Sequence, residues 1–174
     1  ARDELQRLLR RRHQLQLARA CSVVANGGRL MRPRLVLSKR RGDEPAVEIK
    51  PEGTQILKPE TANTMRRLMQ GVVEYGTGKL TAQVDGYSAA GKTGSAQLYD
   101  YATRHYTHHY NGSFMGFAPV NRPALVIAVT LNNTAKFGGV VAGPVFKQVM
   151  QQALRLLDVP KDRPEAVPPA DQDA

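Results

Sequence analysis

The sequence predicts an α+β fold, an antiparallel sheet flanked by helices. Apolar residues recur at helical spacing before, between and after the strand-like segments. Ala124-Leu-Val-Ile-Ala-Val-Thr-Leu131 is a continuous apolar run of strand length, bounded by turn residues. The strand-like segments are joined by connections too short for a crossover helix, which imposes antiparallel pairing.

Taken in order, residues 1–12 are basic and read as helical, with only Leu5, Leu8 and Leu9 to offer a core. Leu17, Ala18, Cys21, Val24 and Ala25 continue with helical spacing from about His13. Asn26-Gly27-Gly28 ends that helix with residues that tolerate left-handed conformations. Residues 30–58 read as a hairpin, with Leu35-Val36-Leu37 and Val47-Glu48-Ile49 as its arms and residues 41–45 as its turn. Pro59 opens the next helix, Glu60 suits its positive end, and Ala62, Met65, Leu68, Met69, Val72 and Val73 form the inward stripe. Gly76 and Gly78 stop it. Tyr99 to Asn111 reads as a polar, aromatic loop and Ser113 to Ala118 as a strand. The run Ala124–Leu131 is continuous enough for burial on both faces. Gly138-Gly139 reads as a turn, and Pro144 starts a last helix with Phe146, Val149, Met150, Ala153 and Leu157 inward. From Val159 onward, four prolines and alternating charges predict a disordered tail, residues 159–174.

The length of 174 residues and 41% apolar content suit one globular domain with a real core. A single cysteine, Cys21, excludes an intrachain disulfide, gives no metal-ligand spacing, and falls on the apolar face of its helix as a buried thiol. The net charge of +10 is concentrated in residues 1–12, with five arginines, and residues 29–41, with six basic residues and no acid. No aromatic residue interleaves with either run, which argues for a solvated face over nucleic-acid binding. No apolar run approaches the ~20 residues of a membrane-spanning helix, and no secretory signal pattern is present.

The chemistry-bearing stretch is Gly86-Tyr-Ser-Ala-Ala-Gly-Lys-Thr-Gly-Ser-Ala-Gln-Leu98. Gly86, Gly91, Lys92 and Thr93 match the phosphate-loop pattern G-x-x-x-x-G-K-[ST]. That loop needs a helix starting at the Lys-Thr pair, yet Gly94 comes directly after it, costing about 1 kcal/mol where nucleation should occur. Ser95 to Tyr99 has no helical apolar period, Leu80 to Asp85 is too short and mixed for the preceding strand, and Ala124–Leu131 ends in Asn132-Asn133 without a magnesium-binding carboxylate. The alternative is K-T-G on an extended edge strand, which pairs with a peptide and offers Lys92 and Thr93 to a carboxylate. Glycines flanking the pair mark close approach by a ligand or another backbone.

With these elements in place, the chain resembles the C-terminal part of a penicillin-binding protein transpeptidase domain of the monofunctional, cell-wall-synthesising kind. The matching segments are Leu15-Gln-Leu-Ala-Arg-Ala20 with Ala25-Asn-Gly-Gly28, and Gly71-Val-Val73 with Gly76-Thr-Gly-Lys79. They continue with Ala90-Gly-Lys-Thr-Gly-Ser-Ala-Gln97, Ser113-Phe-Met-Gly-Phe-Ala-Pro119 and Gly139 to Phe146. The resemblance covers roughly residues 14–158 in the family's order. It places residues 13–158 in that domain, with residues 1–12 unlike the family. It implies a partial penicillin-binding/β-lactamase-like fold and covalent acyl transfer from the D-alanyl-D-alanine end of a peptidoglycan stem peptide. It further implies that Lys92 and Thr93 bind the terminal carboxylate of the stem peptide or a β-lactam, and that Gly94 lets the substrate lie against the strand. The Ser95 amide would supply one oxyanion donor, a role worth about 3 kcal/mol. Many relatives have Thr where Ser95 stands, a mild departure because the donor is main-chain.

The nucleophile motif S-x-x-K and the motif S-x-N occur nowhere in the 174 residues. Thr61-Ala62-Asn63 imitates the latter's spacing but reads as helix surface. The expectation is therefore a chain with the K-T-G half of the site, inactive alone, whose partner is the earlier part of the domain. The resemblance places it at the cell envelope, on the outer face of the cytoplasmic membrane, and implies no cofactor, no metal and no nucleic acid. Two other readings stay open on residues alone: a nucleotide-binding protein using Gly86–Thr93, and a non-catalytic basic binding module. His105, His108 and His109 read as an exposed loop, not a metal site, since no cysteine joins them. Tyr99, Tyr101, Tyr106 and Tyr110 are expected to help shape substrate access, and Lys79 reads as a surface residue near a turn.

Overall fold

The computed structural model describes the backbone of residues 2–163 and the side chains of residues 14–163. A first helix, α1 (Arg2–Ala25), buries Cys21, Val23 and Ala25 while Leu17 stays on its exposed side. It ends as the Asn-Gly-Gly run requires. Gly27 and Gly28 take φ of 80° and 98°, and the Gly28 amide donates to the Val23 carbonyl at 2.7 Å. A Cβ on Gly28 would lie 2.2 Å from the Leu57 carbonyl oxygen, so the chain closes on itself only because that side chain is missing.

Residues 29–55 form two nested antiparallel pairs. The outer pairs β1 (Arg29–Met31) with β4 (Gly53–Gln55), and the inner pairs β2 (Ser38–Lys39) with β3 (Val47–Glu48). The expected arm at Leu35–Leu37 is not a strand, and Leu35 and Leu37 stand in solvent. With no core for this ribbon to face, its register follows the Arg41–Glu44 turn, where Gly42 takes a φ of 57°.

The second helix, α2 (Pro59–Glu74), has Pro59 and Glu60 in its first turn, where the missing proline N–H and the acidic charge are both tolerated. Its buried line is Ala62, Met69 and Val73. Met65 and Leu68, expected inward, are 39% and 62% exposed, because α2 meets the rest along a line narrower than its apolar stripe. Thr61-Ala62-Asn63 lies in its first turn.

The sheet that carries the site has three antiparallel strands in the order β5 (Ala90–Asp100), β6 (His105–Ala118) and β7 (Leu125–Thr134). β6 begins eight residues before the expected Ser113. The segment read as a loop is the distal half of a long hairpin, invisible to apolar periodicity because neither of its faces is covered. Residues Leu125–Leu131 are half-buried, not enclosed on both faces as their apolar run suggested, since β7 also lies at a sheet edge.

The third helix, α3 (Gly138–Leu156), covers one face of the sheet. It starts six residues before the expected Pro144, which lies inside it, so Gly138-Gly139 is a helix start and not a turn. Phe146, Met150 and Leu154 from α3 pack with Phe114 of β6, and the Phe114 and Phe146 rings sit 4.7 Å apart. Val149 and Leu157, expected inward, are exposed. The opposite face carries Ala90, Met115 and Phe117 against Cys21, Ala25 and Met69.

The tail expected to be disordered from Val159 is, as far as Arg163, fastened to the body. The Tyr87 hydroxyl donates to the Val159 carbonyl at 2.8 Å, and the Ser88 amide donates to Asp162 at 2.6 Å. The Ser88 hydroxyl also donates to Asp162 while accepting the Val120 amide. The Arg163 amide donates to the Gly86 carbonyl, and its guanidinium pairs with Glu74. The rest of the predicted tail lies outside the described residues.

Candidate active site

Alternation along β5 sorts its residues by face. Gly91, Thr93 and Ser95 share the α3 side with Phe114, while Ala90, Lys92, Gly94 and Ala96 share the α1 side with Ser113, Met115 and Phe117. No described strand pairs with the other edge of β5, so its rim is open to an extended peptide. Lys92 to Leu98 is strand throughout, and the helix that a phosphate loop requires is missing at that point. Both glycines of that pattern serve the fold instead. Gly86 occupies the turn closed by the Val84–Tyr87 bridge, with a φ of 83°. At Gly91 a Cβ would lie 2.5 Å from the Phe114 ring.

Lys92 is exposed, and its ammonium donates to the Thr93 carbonyl at 2.8 Å, which holds the charge against the strand. On the α3 side, Thr93 Oγ1 lies 2.9 Å from Thr77 Oγ1, one hydroxyl donating to the other. Ser95 Oγ accepts the Gly138 amide at 2.9 Å, tying the strand to the first residue of α3. Thr77, Thr93 and Ser95 border a cleft of about 490 Å³ lined also by Leu80, Thr81, Phe137 and Gly139. Thr81 Oγ1 is buried there without a hydrogen-bond partner. A cluster of hydroxyls and the positive end of a 19-residue helix favour an anion in the cleft, most simply a carboxylate, and the Lys92 ammonium adds positive charge from the other side of the strand.

The structure thus gathers Thr93 and Ser95 in one cleft, while Lys92 lies on the α1 side of the strand and its ammonium reaches back to the Thr93 carbonyl. The space above Gly94 is taken by Ser113, whose Oγ would be 2.5 Å from a Cβ placed there. Thr77 escapes a reading of the sequence because it sits in a turn sixteen positions from Thr93; only its place inside Gly76-Thr-Gly78 marks it. His105, His108 and His109 lie exposed on β6, and among the described residues no group of three or more His, Cys, Asp or Glu is placed to hold a metal. Lys79 is exposed in the turn after α2. No helix among the described residues is long and apolar enough to cross a membrane.

Two ionisable groups near the sheet are displaced from their ordinary range. Burial pushes the Cys21 thiol up to about 12. The amide of Ala102, followed by the Thr103 hydroxyl, holds the Asp100 carboxyl below its usual value and fixes the turn joining β5 to β6.

The architecture is that of cell-wall transpeptidase domains, an α+β fold with K-T-G on an edge strand. Residues 14–151 match the penicillin binding protein transpeptidase domain. The chain is 38% identical over 153 residues to a probable peptidoglycan D,D-transpeptidase, PenA, of Neisseria flavescens, covering 86% of this chain and 36% of that protein. It is 34% identical to stage V sporulation protein D of Bacillus subtilis, covering 83% of this chain and 23% of that one. Among solved structures, the transpeptidase domain of Burkholderia pseudomallei penicillin-binding protein 3 superposes with a TM-score of 0.68 at 36% identity, covering 86% of this chain and 44% of that one. Penicillin-binding protein 3 of Mycobacterium tuberculosis, complexed with ampicillin, superposes with a TM-score of 0.74 at 30% identity, covering 90% and 37%. The chain belongs to the penicillin-binding protein transpeptidase domain family, and it spans less than half the length of each of these relatives.

Proposed function

We propose that this chain supplies the carboxylate-binding and oxyanion half of a peptidoglycan D,D-transpeptidase site. Lys92, Thr93 and the Thr77 hydroxyl beside it receive the terminal carboxylate of a D-alanyl-D-alanine stem peptide or of a β-lactam. The substrate lies along the open rim of β5 past Gly94, and the Ser95 amide faces the carbonyl under attack. The nucleophilic serine comes from a polypeptide segment carrying S-x-x-K, which these 174 residues lack. The assembled site acts at the cell envelope, on the outer face of the cytoplasmic membrane. The single observation that supports this reading most is the Thr93–Thr77 hydroxyl pair at 2.9 Å beside Lys92 on an unpaired strand edge.

Two measurements test it. Incubation of the purified chain with a labelled penicillin should leave its intact mass unchanged, and a covalent adduct would refute the claim that no nucleophile resides here. Titration with a peptide ending in D-alanyl-D-alanine should show saturable binding. Lys92→Ala should weaken it roughly tenfold or more, as expected for loss of one charge-assisted contact, and unchanged affinity would refute the assigned role. Affinity for the peptide that falls with salt but ignores Lys92→Ala would favour a basic binding module instead.

A further inference from the structure

The distal end of the β5–β6 hairpin carries an aromatic group that the carboxylate site does not use. Tyr99 and Tyr106 face each other in the register of the hairpin, after a shift between Gln97 and Tyr99 that re-aims the strand. Tyr99 makes edge-to-face contacts with both Tyr101 and Tyr106, with ring centroids 5.2 Å apart in each case. The rings are nonetheless open to solvent, Tyr101 being 87% and Tyr106 65% exposed. Three tyrosines held against one another at a strand tip cost exposed apolar surface with no packing return from the fold, the signature of a recognition patch.

Its position on β5 indicates the ligand. With the carboxylate at Thr93 and the acyl carbonyl at Ser95, the substrate's chain runs from its C-terminus toward higher β5 numbers, antiparallel to the strand. From Ser95 to Tyr99 the strand rises roughly 13 Å, a distance that about four extended residues cover. That is the scale of a peptidoglycan stem upstream of its acyl carbonyl, and the stem's N-terminus is joined to a sugar of the glycan strand. The face of a tyrosine ring is negative and attracts the weakly positive axial C–H groups of a pyranose, while the phenol hydroxyls can bond its ring substituents.

We infer that the Tyr99–Tyr101–Tyr106 tip is a glycan subsite, which stacks the sugar bearing the stem peptide and so measures the distance from sugar to acyl carbonyl. The inference rests on the proposed direction of the substrate along β5.

The test compares three probes on the full chain: a stem peptide without sugar, the same peptide carrying its disaccharide, and a peptide-free oligomer of N-acetylglucosamine. The disaccharide-peptide should bind roughly three- to tenfold more tightly than the bare peptide, the range expected of one aromatic contact. Tyr101→Ala, at a fully solvated position, should abolish that difference and the affinity for the sugar oligomer while leaving bare-peptide binding unchanged. Equal binding of the two peptides, or a ratio insensitive to both Tyr101→Ala and Tyr106→Ala, overturns the subsite and leaves the carboxylate site standing. Tyrosine-dependent binding of the sugar oligomer without any binding of the bare peptide overturns the carboxylate site and its ruler, leaving only a sugar-binding tip. If the tip instead binds anionic vesicles in a Tyr101-dependent manner and ignores all sugars, the aromatic group serves a membrane surface and the inference is wrong.

Discussion

Replacing Gly138 with alanine should damage the fold and the site together. A Cβ there would lie 2.0 Å from the Gly94 carbonyl oxygen and 2.6 Å from the Ser113 amide nitrogen, all of it backbone that cannot rotate away. The start of α3 must then retreat from β5, breaking the 2.9 Å hydrogen bond from the Gly138 amide to Ser95. Overpacking of this kind costs about 1–3 kcal/mol, and the lost hydrogen bond about 1 kcal/mol more. Alanine's better helix propensity returns up to about 1 kcal/mol, so a net loss of about 2 kcal/mol is expected. That corresponds to a fall in Tm of roughly 4–8 °C for a chain of this size. Gly71→Ala is the matched control. It lies inside α2, its Cβ would meet only the Tyr75 ring at an ordinary 3.5 Å, and it should stabilise by about 0.5–1 kcal/mol. Urea denaturation with an unchanged m value reads both effects. A Gly138→Ala protein with the wild-type midpoint would refute the claim that β5 is held by the backbone of α3.

The geometry sets three more outcomes. The Cys21 thiol, its pKa pushed up to about 12 by burial, should resist alkylation at pH 8 until denaturant is added; stability should be full below about pH 9 and fall as pH rises from 9 toward 12, a slope that Cys21→Ala removes. Asp162→Ala should cost about 2 kcal/mol in chemical denaturation, because two charge-assisted hydrogen bonds to Ser88 are lost while its amide and hydroxyl stay part-buried. Thr77→Val keeps shape but removes the hydroxyl beside Thr93. Carboxylate-peptide affinity should drop about three- to tenfold, with little added loss in the Thr77→Val, Thr93→Val double variant, and full additivity of the two losses would show that the hydroxyls act independently.

The legible parts of the fold were those set by local chemistry. Pro59 with Glu60 announced α2, Asn26-Gly27-Gly28 closed α1, and Gly94 after Thr93 spoke for a strand instead of a helix. What escaped was decided by distant partners. Gly138-Gly139 looks like a turn until β5 stands close enough to demand bare backbone. Residues 105–109 lack a strand signal because neither face of that end of the hairpin reaches the core. Met65 and Leu68 have the spacing of core residues, yet nothing described covers them. At the site, Lys92, Thr93 and Ser95 were readable as a motif, whereas Thr77 is brought to them by the turn after α2.

The clasp formed by Val159, Asp162 and Arg163 grips Gly86, Tyr87 and Ser88, the residues from which β5 springs. The segment Val159–Arg163 therefore braces the root of the groove's rim from outside the sheet. A stop placed before Asp162 would remove both hydrogen bonds to Ser88 at the foot of β5, so it should register in stability and in ligand affinity together.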